Sequence, residues 1–324
     1  MTTPIDRLRS VTNSNGAPSA SNLLVTLFGD ALLPHGRNVR ASVGSLTSLL
    51  APFGVSERLV RTSLTRLVND GLLVATSVGR RSFYGVADRS IDLFRQADAR
   101  IYGSRRTNWD GAWTLVVIDG AEATTEGRAR LRQRLTWAGF GVVAPNVMAS
   151  PVVSAEEAAL VVGQEGEFRN VLVTRATVFD GASTIDEEQL ARRCAPLDLV
   201  AAKYDAFVDS FEGFDRGTLA GLTATDAFKL RILLVATYRR IVLSDPQLPE
   251  SLLPDGWAGA RARALAAFVY GGCIDAAERH LAQVAELPTG ALVPDADWLH
   301  GRFVVEQRVV DQPDLDQTVA DQAS

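Results

Sequence analysis

Between Phe53 and Leu73 the chain reads FGVSERLVRTSLTRLVNDGLL, and apolar and polar positions recur there with a helical period. At roughly 100° per residue, Val60, Leu64, Leu67 and Val68 fall on one side. Arg58, Arg61, Thr62, Thr65 and Asn69 fall on the other. Ser56 opens this helix, and Asn69-Asp70-Gly71 closes it with a polar pair and a glycine. Asn22 to Leu33 (NLLVTLFGDALL) and Val43 to Leu50 (VGSLTSLL) read as two further short helices. Ala51-Pro52-Phe53-Gly54, a breaker and a glycine, separates the second of these from the arginine helix, which is helix-turn-helix punctuation. Leu72 to Thr76 and Ser82 to Val86 are β-prone runs joined by Ser77-Val78-Gly79-Arg80-Arg81, a hairpin with two arginines near its tip. Three helices and a basic-tipped hairpin predict a winged helix.

Asp88 to Gly103 reads as a connecting helix. Trp113 to Ile118 is a β-prone run, followed by a polar helix at Thr125 to Ala138, two short strands at Phe140 to Val143 and Asn146 to Ala149, a helix opened by Ser154, and a last strand at Val171 to Phe179. The order β, α, β, β, α, β is that of a ferredoxin-like fold. From about Ile185 the pattern is helical, with an apolar stripe along Leu197 to Phe211, a strongly apolar Ala224 to Leu243, and an alanine-rich helix or pair of helices over Gly259 to Ala285. The fold class expected is a multidomain α+β protein. Its predicted parts are a flexible tail (1–21), a winged-helix DNA-binding domain (22–87), a connecting helix (88–108), a ferredoxin-like domain (109–182), a helical domain (183–287) that is a candidate dimer interface, and an acidic, poorly ordered tail (288–324).

Charge sharpens the first of these. Residues 1–106 hold 14 Arg against 7 Asp plus Glu, whereas the remainder holds 19 Lys plus Arg against 31 acids. The overall formal charge of -5 therefore hides a basic head on an acidic body. The head has no lysine, which suits planar bidentate contacts, although the whole chain has only Lys203 and Lys229. No apolar run reaches the roughly 18 residues of a membrane span, so no membrane partner is expected. Cys194 and Cys273 lack CxxC or Cys/His spacing, which points to packed, reduced thiols, a cytoplasmic location and no structural zinc. There is no GxSxG, P-loop or dinucleotide fingerprint, and neither cofactor nor metal is expected.

FGVSERLVRTSLTRLVNDGLL in the head, WDGAWTLVVID with LRQRLTWAGFGVVAPNVMASP in the middle, and YRRIVLSDPQLPESLLPDGWAGARARALAAFVY toward the end together resemble the PaaX-type transcriptional repressors. The resemblance spans about residues 22–287. It implies a winged helix, a central domain similar to a small CRISPR-adaptation nuclease subunit, and, over residues 183–287, a helical effector-sensing and dimerisation domain. It further implies a homodimer that represses an aromatic-acid (phenylacetate) catabolic operon and leaves operator DNA when phenylacetyl-coenzyme A or another acyl-coenzyme A binds.

On particular residues, Arg58, Arg61, Thr62, Thr65 and Arg66 would face base edges and phosphates, Arg80 and Arg81 the backbone or minor groove, and Arg37 and Arg40 further phosphates. A single head makes few contacts, so a two-fold dimer on an inverted repeat is expected. For an effector, Tyr238, Arg239, Arg240 and Trp257 offer two arginines beside aromatics; equally, the arginines suit a helix end and the aromatics a core. Two other readings stay open: a metal-dependent nuclease using Asp119 at the end of the first central strand, and a winged helix used for protein contacts.

Overall fold

The computed structural model describes residues 18–103, 109–118, 125–163, 170–178, 186–288, 290–292, 299 and 301–303. The N-terminal unit begins with α1 (Ala20–Thr26), whose N-cap Ser19 accepts a hydrogen bond from the amide of Asn22. A π-helical turn, Leu27–Leu32, and a 3-10 turn, Leu33–His35, continue it. Then come β1 (Ala41–Ser42), α2 (Val43–Leu50) and α3 (Glu57–Asn69), with strands β2 (Leu73–Val78) and β3 (Arg81–Val86). The three strands form one antiparallel sheet in the order β1-β3-β2.

Helix α3 begins and ends where its sequence signals lie. Ser56 Oγ accepts from the amide of Leu59, filling one of the orphan donors of the first turn. At the far end Gly71 takes φ +73°, its amide donates to the carbonyl of Val68, and the amide of Leu72 donates to that of Leu67. That pair of bonds is a Schellman cap, and it turns the chain directly into β2. The strands are longer than the sequence reading: Val78 pairs with Arg81, which leaves Gly79-Arg80 as a two-residue turn with Gly79 at φ +61°. Arg81 is therefore the first residue of β3 and not part of the loop.

After α4 (Ile91–Tyr102), the central unit runs β4 (Ala112–Ile118), α5 (Thr125–Ala138), β5 (Gly141–Ala144), β6 (Val147–Ser150), α6 (Ala155–Gly163) and β7 (Val171–Thr177). Its antiparallel sheet has the order β5-β6-β4-β7. Ser154 and Glu157 satisfy each other's backbone amides at the start of α6, a capping box. The C-terminal unit comprises α7 (Glu187–Cys194), α8 (Leu197–Phe211), α9 (Arg216–Ala220), α10 (Ala224–Val242) and α11 (Ala258–Val284), followed by a small hairpin of β8 (Glu286–Leu287) and β9 (Gly290–Ala291). The alanine-rich stretch is thus one continuous helix. Among the described residues no helix is long and apolar enough to cross a membrane.

The cores do not follow the three sequence segments. The central sheet and its helices share one apolar cluster around Val116, Ile118, Leu131, Leu135, Phe140 and Met148. A second, larger cluster runs without interruption from α1 through α4 into α8, α10 and α11. At its centre lies Asp30, on the π-helical turn and only 2 % exposed. Its carboxylate accepts from Tyr102 Oη at 2.6 Å, Tyr270 Oη at 3.1 Å, Arg231 Nε at 2.7 Å and the Arg302 guanidinium. Its carbonyl oxygen accepts from Arg231 at 2.8 Å and Arg302 at 2.9 Å. Arg231 also pairs with the buried Glu278, whose other oxygen lies 3.0 Å from His35 Nε2, and Arg302 reaches Asp98.

The far end of the chain was expected to be a poorly ordered tail after residue 287. Of the described residues in that stretch, Leu292, Leu299, Arg302 and Phe303 are buried, and Phe303 packs edge-on against Tyr102 at 5.0 Å between ring centres. Acidic, proline-interrupted composition over the segment gives no sign of this Arg-Phe pair, of which Arg302 is part of the buried charge cluster.

Burial on its own would raise the Asp30 pKa, but Arg231, Arg302 and the two tyrosine hydroxyls outweigh it and hold the carboxyl below its ordinary range. Glu278 is likewise lowered against burial by His35 and Arg231. Asp98 is raised, by burial and by the nearby Asp30. Asp30→Asn keeps the shape but leaves two buried guanidiniums short of their counter-charge, and should cost about 3–5 kcal/mol in urea unfolding. Removal of the exposed Arg61 side chain should change stability by no more than about 0.5 kcal/mol. Depressed folded-state carboxyls contribute stability that is present above their unfolded pKa and lost as pH falls through the folded value. Melting temperature should therefore drop as pH falls below the ordinary carboxylate range, and Asp30→Asn should flatten that acid limb; an unchanged limb would rule Asp30 out as its source.

Candidate nucleic-acid interface

Helix α3 turns Val60, Ser63, Leu64 and Leu67 into the core, and this fixes which side chains face out. Arg58, Arg61, Thr62, Thr65, Arg66 and Asn69 are all exposed, as the helical period predicts. The two hydroxyls donate back along the helix, Thr62 to the carbonyl of Arg58 at 2.9 Å and Thr65 to that of Arg61 at 3.1 Å. Their oxygens remain able to accept from a neighbour on the outer face.

The arginines differ in their partners. Arg61 is held by Glu57 one turn earlier, at 2.7 Å, and Arg66 lies 3.7 Å from Asp70. Both pairs are well exposed and worth about 0–1 kcal/mol, so a phosphate or base edge can displace the acid at small cost. Arg58 and Arg80 carry no acid partner among the described residues. On the hairpin, Arg81 pairs with Glu286 of β8, and Arg40 is half-buried against the Thr76 hydroxyl. Arg37 is exposed. The N-terminal unit thus offers a graded set of guanidiniums, some without an acid partner among the described residues and some loosely tethered.

The body braces this face from behind. The ring of Phe53, in the turn before α3, meets Phe228 of α10 at 6.4 Å, edge to face. The amide of Glu286 donates to Ser45 Oγ on α2 at 2.8 Å. The first and second helices of the unit, and the 3-10 turn Ala51–Phe53 that leads into the third, are each in contact with the C-terminal helices.

The four residues considered for an effector are not gathered around one opening. Tyr238 and Trp257 are core residues, Tyr238 packing on Phe207 at 5.3 Å and Trp257 on Tyr204 at 6.1 Å. Arg240 is exposed, and Arg239 turns inward to α1. Consecutive helical residues point about 100° apart, and here the step sends Arg239 and Arg240 to different surroundings. Arg239 Nε donates to Thr26 Oγ1 at 2.8 Å, and its terminal nitrogen reaches the carbonyl and side-chain oxygens of Asn22. Burial pushes its pKa down to about 10.

Burial also pushes both thiols, Cys194 and Cys273, up to about 12, which suits packing and not reactivity. Asp119 lies outside the described residues. What sequence reading missed is the Asp30 cluster. Its signal was a lone acid in the apolar run LVTLFGDALL and a lone arginine in KLRILLVA, charges that burial must pair.

Three family models match in succession: PaaX-like protein over residues 19–90, PaaX protein central Cas2-like domain over 106–189, and PaaX-like protein C-terminal domain over 196–283. The transcriptional repressor PaaX of Escherichia coli (strain K12) is 34% identical over 293 residues, which cover 89% of this chain and 92% of that protein. A solved structure, the uncharacterized protein Rv0674 from Mycobacterium tuberculosis, has the same fold at 22% identity, with a TM-score of 0.54 over 82% of this chain and 99% of that one.

Proposed function

This chain belongs to the PaaX family, and on that premise we propose that it is a dimeric, sequence-specific transcriptional repressor of an aromatic-acid catabolic operon, released from its operator by an acyl-coenzyme A effector. We read residues 22–87 as a winged helix, with α3 as the recognition helix and β2-β3 as the wing. The Schellman-capped α3 leading straight into a hairpin supports that reading. The central order β5-β6-β4-β7, with one helix after β4 and one after β6, supports a ferredoxin-like layout.

The observation that carries the DNA-binding reading is the outer face of α3. It presents Arg58, Arg61, Thr62, Thr65 and Arg66 together, with acids only as loosely held partners at either end. Arginine to guanine and hydroxyl to phosphate or base are contacts that such a face makes in a major groove. The sheet places Arg80 at a tight turn, suited to a phosphate or the minor groove beside the recognition helix. A dimer doubles these contacts and imposes two-fold symmetry on the site it reads. Release requires the effector to favour a conformation in which the two heads no longer match the half-site spacing.

Fluorescence anisotropy on the chain's own upstream intergenic DNA tests the reading. Wild type should bind specifically, and Arg58→Ala or Arg61→Ala should weaken binding roughly tenfold, in the range of 1–3 kcal/mol for a lost base contact. Affinity should fall steeply with salt. Absence of sequence-specific binding at low salt would overturn the proposal. A second outcome tests the wing. Glu286→Gln releases Arg81 from its acid and should tighten DNA binding by about twofold to fivefold, the worth of an exposed pair; unchanged affinity would remove Arg81 from the interface.

A further inference from the structure

A cleft of about 390 Å³ opens where the N-terminal unit, the connecting helix and the C-terminal helices meet. Val25 and Thr26 line it from α1, Gly29 and Asp30 from the π-helical turn, residues including Phe94, Ala97 and Arg100 from α4, and Val235, Arg239 and Leu243 from α10. The wall is mostly apolar, with Leu72 at the base of the hairpin completing it. Gly29 permits the approach: a Cβ there would come within 2.9 Å of the Phe94 ring.

Two guanidiniums line this cleft, and neither has a carboxylate partner among the described residues. Arg239 donates to Thr26 and Asn22, all neutral oxygens. Arg100 donates to the carbonyls of Asp245 at 2.8 Å and Val242 at 3.4 Å, and its Nε is a buried donor with no acceptor. The two acids in the same wall, Asp30 and Asp98, are already engaged by Arg302. An apolar cleft lined by two guanidiniums without carboxylate partners suits an apolar anion.

We propose that this cleft binds a small monocarboxylate with an apolar body, its carboxylate on Arg239 and Arg100 and its hydrocarbon against Val25, Leu72, Phe94 and Val235. The volume suits an acid of that kind; the nucleotide of a coenzyme A thioester would lie outside it. Because the walls belong to the DNA-reading unit and to the body alike, occupancy changes how one sits on the other. That consequence rests on the repressor reading, while binding itself does not.

Isothermal titration of the full chain with phenylacetate, benzoate and octanoate, each set against its primary amide, and with phenylacetyl-coenzyme A, tests the site. At least one acid should bind, and its amide should bind at least about tenfold more weakly, the worth of a charge-assisted pair. Arg239→Gln should abolish acid binding. That variant also loses the Asn22 and Thr26 bonds and so could unfold, whereas Ala97→Trp fills the cleft and leaves them in place; it too should abolish binding. Equal binding of acid and amide, binding undiminished in Ala97→Trp, or thioester binding with no acid binding up to about 10 mM would each overturn the site. Anisotropy on the upstream DNA, run in parallel, separates the two proposals. Acid binding without any DNA binding would sink the repressor and spare the site, and DNA binding without acid binding would do the reverse.

Discussion

Asp30 is the constraint on which the arrangement of this protein depends. A buried carboxylate is tolerable only with its charge matched and its lone pairs filled, and here two tyrosines and two arginines converge on it from α4, α10, α11 and residue 302. The π-helical turn contributes by geometry: the carbonyl of Asp30 accepts from Arg231 and Arg302 as well as the side chain does. Such a cluster adds little net stability over a well-packed apolar core, but it is intolerant of displacement. Sliding α1 against α10 would strand several buried charges at once. The first helix is therefore held to the body as firmly as to the unit it begins.

This changes how the arginine face of α3 should be understood. A DNA-reading unit on a flexible tether has its orientation set by whatever it binds. Here α1 is fixed by charge, Phe53 rests on Phe228, and the Glu286 amide holds Ser45. The orientation of α3 is then set through α1, α2 and the Phe53 turn, the parts of its unit that touch the body, and a small shift at the α1–α4–α10 junction has a packed route toward the outer face. Buried ion pairs have few alternative arrangements, so such a shift would be a switch between discrete states and not a continuous drift.

Sequence pattern made the local elements legible and the junction nearly illegible. Helix α3, its Ser56 cap and its Gly71 stop are encoded within twenty residues, and they appear where the pattern put them. The hairpin was legible except for its length, because Val78 and Arg81 pair across a turn tight enough to need only Gly79 and Arg80. By contrast, Arg231 and Arg302 lie 201 and 272 residues from Asp30, and no periodicity relates them. Average composition could not single out Arg302 and Phe303, which are buried at the C-terminal end. Residue adjacency says nothing of the different environments to which the helix sends Arg239 and Arg240.

Two arginines on α10 complete the argument. Arg231 is fully buried and lies between Asp30 and Glu278, which outweigh its burial and raise its pKa well above the ordinary value. Arg239, two turns on, is half-buried, bonded to neutral oxygens, and its pKa falls. One helix thus carries a satisfied cation and an uncompensated one on sides that both face α1. A guanidinium held beside apolar side chains without a counter-ion costs free energy that any anion reaching it would recover. The contrast between the two sites explains why charge matching at Asp30 holds the fold together, while its absence at Arg239 leaves the cleft with chemistry to offer.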